Sequence, residues 1–236
     1  MHGKLYVVGG LTDDSAGQTN SMVVYDPVTK VWTESAPMGT ARIGPGVAAM
    51  EGHLYVLGGA DSNGVALGTA EAFNPDANPG DEPWMRLPDL PTRRGAPGVA
   101  VIGNKIWVVG GCNDQGIALN CVEVLMRSKQ QVVRVDSEIE MVDEVRWLDA
   151  PPMPTPRAGL GCCAVVGDRY NAIVAVAGCG TGHGDQQFLD VVEWLDVDQG
   201  CWHEAPRLIS GRRYPAVCIG LADENHHVQP GVATPE

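Results

Sequence analysis

The sequence predicts an all-β chain assembled from copies of one four-stranded unit, and three observations predict it. An apolar run closed by glycines recurs as Leu5-Tyr6-Val7-Val8-Gly9-Gly10, Leu54-Tyr55-Val56-Leu57-Gly58-Gly59 and Ile106-Trp107-Val108-Val109-Gly110-Gly111. A weaker copy, Val174-Ala175-Val176-Ala177-Gly178-Cys179, has Cys179 interrupting the doublet. Each run is followed by a tryptophan (Trp32, Trp84, Trp147, Trp202), and then by a proline-rich turn and an arginine (Arg42, Arg94, Arg157, Arg212). The spacing is regular: Arg42 and Arg94 stand 52 residues apart, and each precedes a glycine doublet by 16. Self-similarity at a period near 50 residues is the mark of a repeat architecture.

Within a copy the strands are short. In the second they read as Gly46–Met50, His53–Leu57, Thr69–Phe73 and Trp84–Leu87, separated by Gly, Asn, Asp and Pro turns. Short β-branched and aromatic runs between such turns are antiparallel strand signals. Helical periodicity competes only in Arg127–Val145, which otherwise reads as a solvated loop between the third and fourth strands of its unit. Four-stranded units repeated along a chain fold as the blades of a β-propeller, where radial packing leaves only short sheet edges.

The doublets, the aromatic before them, the later Tyr25 or Phe73 with Trp32 or Trp84, and Met38 or Leu90 before Thr-x-Arg resemble the kelch-repeat family. The resemblance spans nearly the whole chain and is best in the first two copies. It implies a kelch β-propeller over 1–222, with 223–236 a loose C-terminal tail. The chain begins at a second strand (Lys4–Val8) and reaches a first strand at Tyr214–Ile219. Pairing the two would give three complete blades and one composite blade. The alternative is that these four belong to a six-bladed ring.

Composition bounds the function. The 236 residues are 44% hydrophobic and 19% charged, enough for a sizeable core without disulfide or metal. Sixteen basic against 29 acidic residues give a formal charge of −13, which opposes nucleic-acid binding, since that affinity comes from Lys and Arg neutralising phosphates. No apolar run approaches the roughly 18 residues of a membrane span, and Met1–Val8 lacks the basic and apolar regions of a secretory signal. The seven cysteines include no C-x-x-C pair, so free thiols in a reducing compartment are expected, cytoplasmic or nuclear.

The repeated residues read structurally. Gly9, Gly10, Gly58, Gly59, Gly110 and Gly111 supply backbone freedom at strand ends, and the tryptophans pack between blades, with Trp32, Trp84 and Trp202 expected to be mostly buried. Ala48, Ala100, Cys163 and Cys218 share one position in the crowded first strands, where cysteine serves as a small hydrophobe. Adjacent Cys162 and Cys163 face opposite sides and make a poor disulfide. Each arginine follows a hydroxyl by two residues (Thr40, Thr92, Thr155, Ser210), which favours a staple between blades over a partner contact. Arg42 and Arg157 nonetheless stand as partner-binding candidates beside the non-recurring Arg93 and Arg213, which suit a carboxylate-bearing partner. Asp61, Asp114, His183 and Asp185 join them from the variable loops after the doublets, where turn chemistry is the competing explanation.

The kelch resemblance brings enzymes to mind as well as interaction modules. The galactose oxidase type needs tyrosine and histidine copper ligands, yet Tyr6, Tyr25 and Tyr55 occupy repeat core positions here. The iron-dependent specifier type needs a Glu-x-x-x-Asp-x-x-x-His run, which is absent. The sequence therefore predicts no enzyme, cofactor or metal. It predicts a scaffold or adaptor binding a protein or peptide, with substrate recruitment to a ubiquitin ligase or actin binding as uses known in the family. A sugar-directed oxidase or epimerase is the alternative.

Overall fold

The computed structural model describes residues 1–13, 17–133, 139–167, 170–180 and 187–218, with backbone alone described for 131–133 and 139–142. Among these residues there is no helix, and the strands form one three-stranded, three four-stranded and one two-stranded sheet. The first blade comprises β1 (Leu5–Val8), β4 (Met22–Asp26) and β5 (Val31–Ser35), with the ribbon β2 (Leu11–Thr12) and β3 (Gly17–Gln18) between β1 and β4. The second is β6 (Gly46–Met50), β7 (His53–Leu57), β8 (Ala70–Phe73) and β9 (Trp84–Leu87). The third is β10 (Gly98–Ile102), β11 (Lys105–Val109), β12 (Val122–Val133) and β13 (Ile139–Ala150), and the fourth is β14 (Gly161–Val166), β15 (Asn171–Val176), β16 (Val192–Asp196) and β17 (Cys201–Ala205). Each four-stranded sheet is an antiparallel meander in chain order, as a propeller blade requires.

Packing lies between neighbouring blades. Ala48, Tyr55, Leu57 and Leu87 of the second blade bury against Ile106, Val108 and Leu125 of the third. The third does the same toward the fourth through Trp107, Val109 and Val124 against Ile173, Ala175 and Leu195. First strands crowd together near the centre: a Cβ built on Gly46 would lie 2.3 Å from Val99 Cγ2, and one on Gly161 equally close to Val217 Cγ2. No other residue fits there without moving the neighbouring blade.

The doublet glycines have a backbone reason. Gly58 and Gly59 have φ of 60° and 99°, and Gly110 and Gly111 have 60° and 103°, a left-handed region that side chains rarely adopt. The fourth copy corrects the sequence register. Ala177 and Gly178, with φ of 57° and 103°, occupy the doublet positions, and Ala177 N–H donates to Val191 O as Gly58 N–H does to Thr69 O. Cys179 instead takes the place of Cys112 and Ala60, each bridging back to the preceding turn.

Three further expectations are corrected. The described parts of Arg127–Val145 are strand: β12 and β13 run on as a hairpin paired from Val122 with Ala150 to Val133 with Ile139. Among the described residues Tyr214–Cys218 is not strand and pairs with no residue of β1, so the first strand expected at Tyr214–Ile219 is not seen there. Trp32 is 50% exposed. The reason lies in the other copies, where each indole N–H donates to a carbonyl of the preceding blade: Trp84 to Ala36, Trp147 to Pro88 and Trp202 to Pro151, at 2.8 to 2.9 Å. The Trp32 ring instead lies against Tyr25 of its own blade, centroids 5.1 Å apart, and among the described residues it makes no such contact to another blade. The tail 223–236 lies outside the described residues.

Trp84→Ala is expected to cost about 3–5 kcal/mol, the range for deleting a large buried aromatic. Trp32→Ala should cost less than half as much in the same guanidinium melts, because its ring is already half in water.

Candidate functional site

The turns that carry the arginines join one blade to the next, and they divide their bonds between the two. Around Arg42 the backbone belongs to the first blade: Met38 N–H donates to Asn20 O, Arg42 N–H to Thr19 O, and Arg42 O accepts from Gly10 N–H. The side chain crosses to the second. Its Nη1 donates to Gly58 O at 2.8 Å and Thr69 O at 2.9 Å, while Nη2 pairs with Glu71 Oε1. Glu71 in turn accepts from the N–H groups of Gly39 and Thr40, at 2.7 and 3.2 Å.

The same arrangement recurs twice. Arg94 donates to Gly110 O and Cys121 O and pairs with Glu123 at 2.9 Å. Arg157 donates to Val191 O and pairs with Glu193, whose other oxygen accepts from the Thr155 hydroxyl at 2.7 Å. All three arginine side chains are fully buried. Burial pulls the Arg42 and Arg157 guanidinium groups below their ordinary pKa, and the glutamate charges oppose that. The expectation that Arg42 and Arg157 contact a partner is therefore corrected: neither has surface to offer, and their terminal guanidinium nitrogens are bonded to the next blade.

Arg212 repeats the backbone half of this pattern, donating to Leu189 O and accepting from Gly178 N–H, but its guanidinium is exposed and donates to the Ser210 hydroxyl at 3.2 Å. The glutamate position of the first blade, in turn, holds Val23. The ion pair therefore forms at the three junctions between the described blades.

The accessible candidates lie beside these turns. Arg93 is exposed, its Cγ lying where a Cβ on Gly68 would approach to 3.1 Å. Arg213 is exposed, stacks over the Tyr214 ring at 4.6 Å and donates to its hydroxyl at 2.9 Å. Asp61 closes its own turn by accepting from Asn63 and Val65 N–H. Asp114 reaches back one blade, accepting from Ala66 N–H at 2.7 Å, so it ties neighbouring loops together. His183 and Asp185 lie outside the described residues. Arg93, Arg213 and Asp114 thus share the face of the junction turns and post-doublet loops, and Arg42 and Arg157 lie beneath it. The glutamates that complete the junctions were missed in the sequence, although Glu71, Glu123 and Glu193 sit at one repeat position.

Burial pushes the Cys112, Cys162 and Cys163 thiols up from their usual pKa. Among the described residues no three His, Cys, Asp or Glu side chains converge to hold a metal ion.

A family model described as the KLHDC2/KLHL20/DRC7 Kelch-repeats domain matches residues 1–220. The chain belongs to the kelch-repeat family. Among curated kelch relatives, Kelch-like protein terF of Aspergillus terreus is 26% identical over 86% of this chain and 42% of its own. Kelch repeat and BTB domain-containing protein 12 of Danio rerio is 34% identical over 47% of this chain and 20% of its own. Beta-scruin of Limulus polyphemus is 30% identical over 67% of this chain and 16% of its own. The chain spans less than half the length of these relatives. The solved structure of YjhT superposes with a TM-score of 0.73 at 17% identity, covering 91% of this kelch chain and 70% of YjhT. That likeness concerns the fold.

Glu71→Ala leaves the Arg42 charge buried without its counter-ion, and a loss of about 3–5 kcal/mol is expected in denaturant melts. Arg212→Ala, at the exposed repeat of the same position, is expected to stay within about 0.5 kcal/mol of the parent. Iodoacetamide at about pH 8 should label exposed Cys218 well before Cys162, which peptide mapping reads directly.

Proposed function

We propose that this kelch chain is a protein-interaction module whose junction-turn face receives a carboxylate-bearing segment of a protein partner. The observation that carries the reading is the division among the arginines. Three are sealed into the blade junctions, whereas Arg93 stands exposed beside sealed Arg94, and Arg213 stands exposed beside Arg212 in the equivalent turn of the fourth blade. Their backbone is held by inter-blade hydrogen bonds: Gly95 and Cys112 exchange a pair at 2.8 and 2.9 Å, and Tyr214 N–H donates to Gly159 O at 2.7 Å. A guanidinium on such a support offers a carboxylate two parallel hydrogen bonds at little entropic cost. The loops that frame it, Ala60–Gly68 and Cys112–Asn120, differ in sequence while their bridges at Ala60 and Cys112 are alike. Variable loops on an invariant frame suit selection among partners.

Two kinds of partner follow from the family, a substrate presented to a ubiquitin ligase and the actin filament. Relatives whose names carry a BTB domain, as the Danio rerio protein's does, support the adaptor reading. Affinity purification of the native protein with mass spectrometry identifies the partner, and cosedimentation with actin filaments tests the second directly.

With that partner in hand, Arg93→Ala and Arg213→Ala are each expected to weaken binding by about 2 kcal/mol or more, the loss typical of a hot-spot residue. Melting must be unchanged in both. Unaltered affinity in the pair of variants would remove this face from the binding surface.

A further inference from the structure

The third blade differs from the others in one respect: its outer hairpin outgrows the strand beside it. Strand β11 begins at Lys105 and pairs with β12 only as far as Met126, yet β12 continues to Val133 with β13 as its sole neighbour. Arg127 marks where the inner partner ends. Its N–H donates to Asn104 O at 3.2 Å and its carbonyl accepts from Asn104 Nδ2 at 2.7 Å. Strand groups alternate in direction, so the N–H and C=O of Lys129 and Gln131, in phase with Arg127, point to that same inner side. Among the described residues no strand lies there.

What lies there instead is a cleft of about 500 Å³, at the opposite end of the blades from the junction turns. Asn104 forms its floor where β11 stops, the Glu51–His53 turn of the second blade faces the hairpin, and Lys129 and Asp143 stand on the hairpin itself. The hairpin base is pinned. Arg127 Nη2 pairs with Asp143 at 2.6 Å, and Nη1 lies 3.3 Å from both the Tyr55 hydroxyl and His53 Nδ1. Tyr55 is buried in the second blade, so the edge is fixed to the propeller body.

We propose that this cleft receives an extended peptide, rich in lysine or arginine, that pairs with the open edge of β12 at Lys129 and Gln131 and continues the line of β11. Strand addition draws its affinity from main-chain hydrogen bonds and its selectivity from side chains. Here the charge decides the class of partner. The chain carries −13, the hairpin 127–145 has five acidic residues against three basic, and Glu51 borders the cleft, exposed to water. The cleft lining balances Glu51 and Asp143 against Arg127 and Lys129, so the preference for a cation-bearing strand rests on the long-range field of the acidic chain. This surface is separate from Arg93 and Arg213, and it holds whether or not the junction-turn face binds a partner.

The probe is a fluorescein-labelled peptide of alternating lysine and threonine, followed by anisotropy at low salt. Two controls go with it, a glutamate-for-lysine counterpart and a version N-methylated on alternate amides. The lysine peptide is expected to bind, and to slow amide exchange at Lys129 and Gln131. Lys129→Pro and Gln131→Pro each delete one edge N–H and leave the bonds to β13 intact, and each should weaken binding about tenfold or more. Lys129→Ala keeps the N–H and should bind at least as well as the parent. The N-methylated peptide needs no variant to fold, and it should not bind. The proposal fails if the glutamate peptide binds as well as the lysine peptide, if N-methylation is harmless, or if both proline variants keep full affinity. It fails equally if binding disappears in Arg93→Ala and Arg213→Ala instead, which would locate the peptide on the other face.

Discussion

The structure depends on one buried ion pair used three times. A turn leaving one blade bonds through its backbone to that blade and through its arginine to the glutamate and strand-end carbonyls of the next. A buried pair of this kind adds little net stability over apolar packing. Its consequence is geometric: guanidinium and carboxylate each make several directional bonds, which restricts the placement of adjacent blades. A second relay follows the same turns, with Ala96 N–H donating to Gly44 O, Gly159 to Ala96 O and Tyr214 to Gly159 O. Four separate sheets thereby acquire an angular relation that apolar contacts alone would leave loose.

The two ends of the blades differ because of that junction. One end is a lattice of short bridges, where loops such as that of Asp114 are anchored to their neighbours and exposed arginines rest on backbone that cannot easily move. At the other end the strands are joined by connections of differing length, short between β6 and β7 and longer between β8 and β9, and the chain is free to lengthen one of them. The third blade does so, and the extension is stiffened by cross-strand pairing and by the Arg127 contacts to Tyr55 and Asp143. A rigid loop face and a projecting strand edge are different kinds of surface, suited to side-chain capture and to backbone pairing respectively.

The comparison of sequence and structure turns on a few residues. The four-strand meander was legible because short strands and glycine turns are local signals, and the second blade follows the expected bounds to within one residue at β8. Ala177 was misread because alanine in a left-handed backbone has no local signature: its place is shown only by its bond to Val191 O and its neighbour Gly178. The hairpin was taken for a loop because Arg127–Val145 mixes charge with β-branched residues, and pairing over such a distance leaves no turn motif within reach of the ends. Trp32 was placed inside by analogy with Trp84, although burial belongs to the neighbour and not to the residue.

The sequence by itself determined the repeat, the family and the positions of the arginines, since each is written in residue identity and spacing. Tertiary structure alone decided which arginines are spent and which are available. Arg42, Arg94, Arg157 and Arg212 occupy equivalent positions, yet three are buried against glutamates and the fourth is exposed. The difference comes from what the next blade presents, a contact between residues about 30 apart in sequence for which local pattern carries no information.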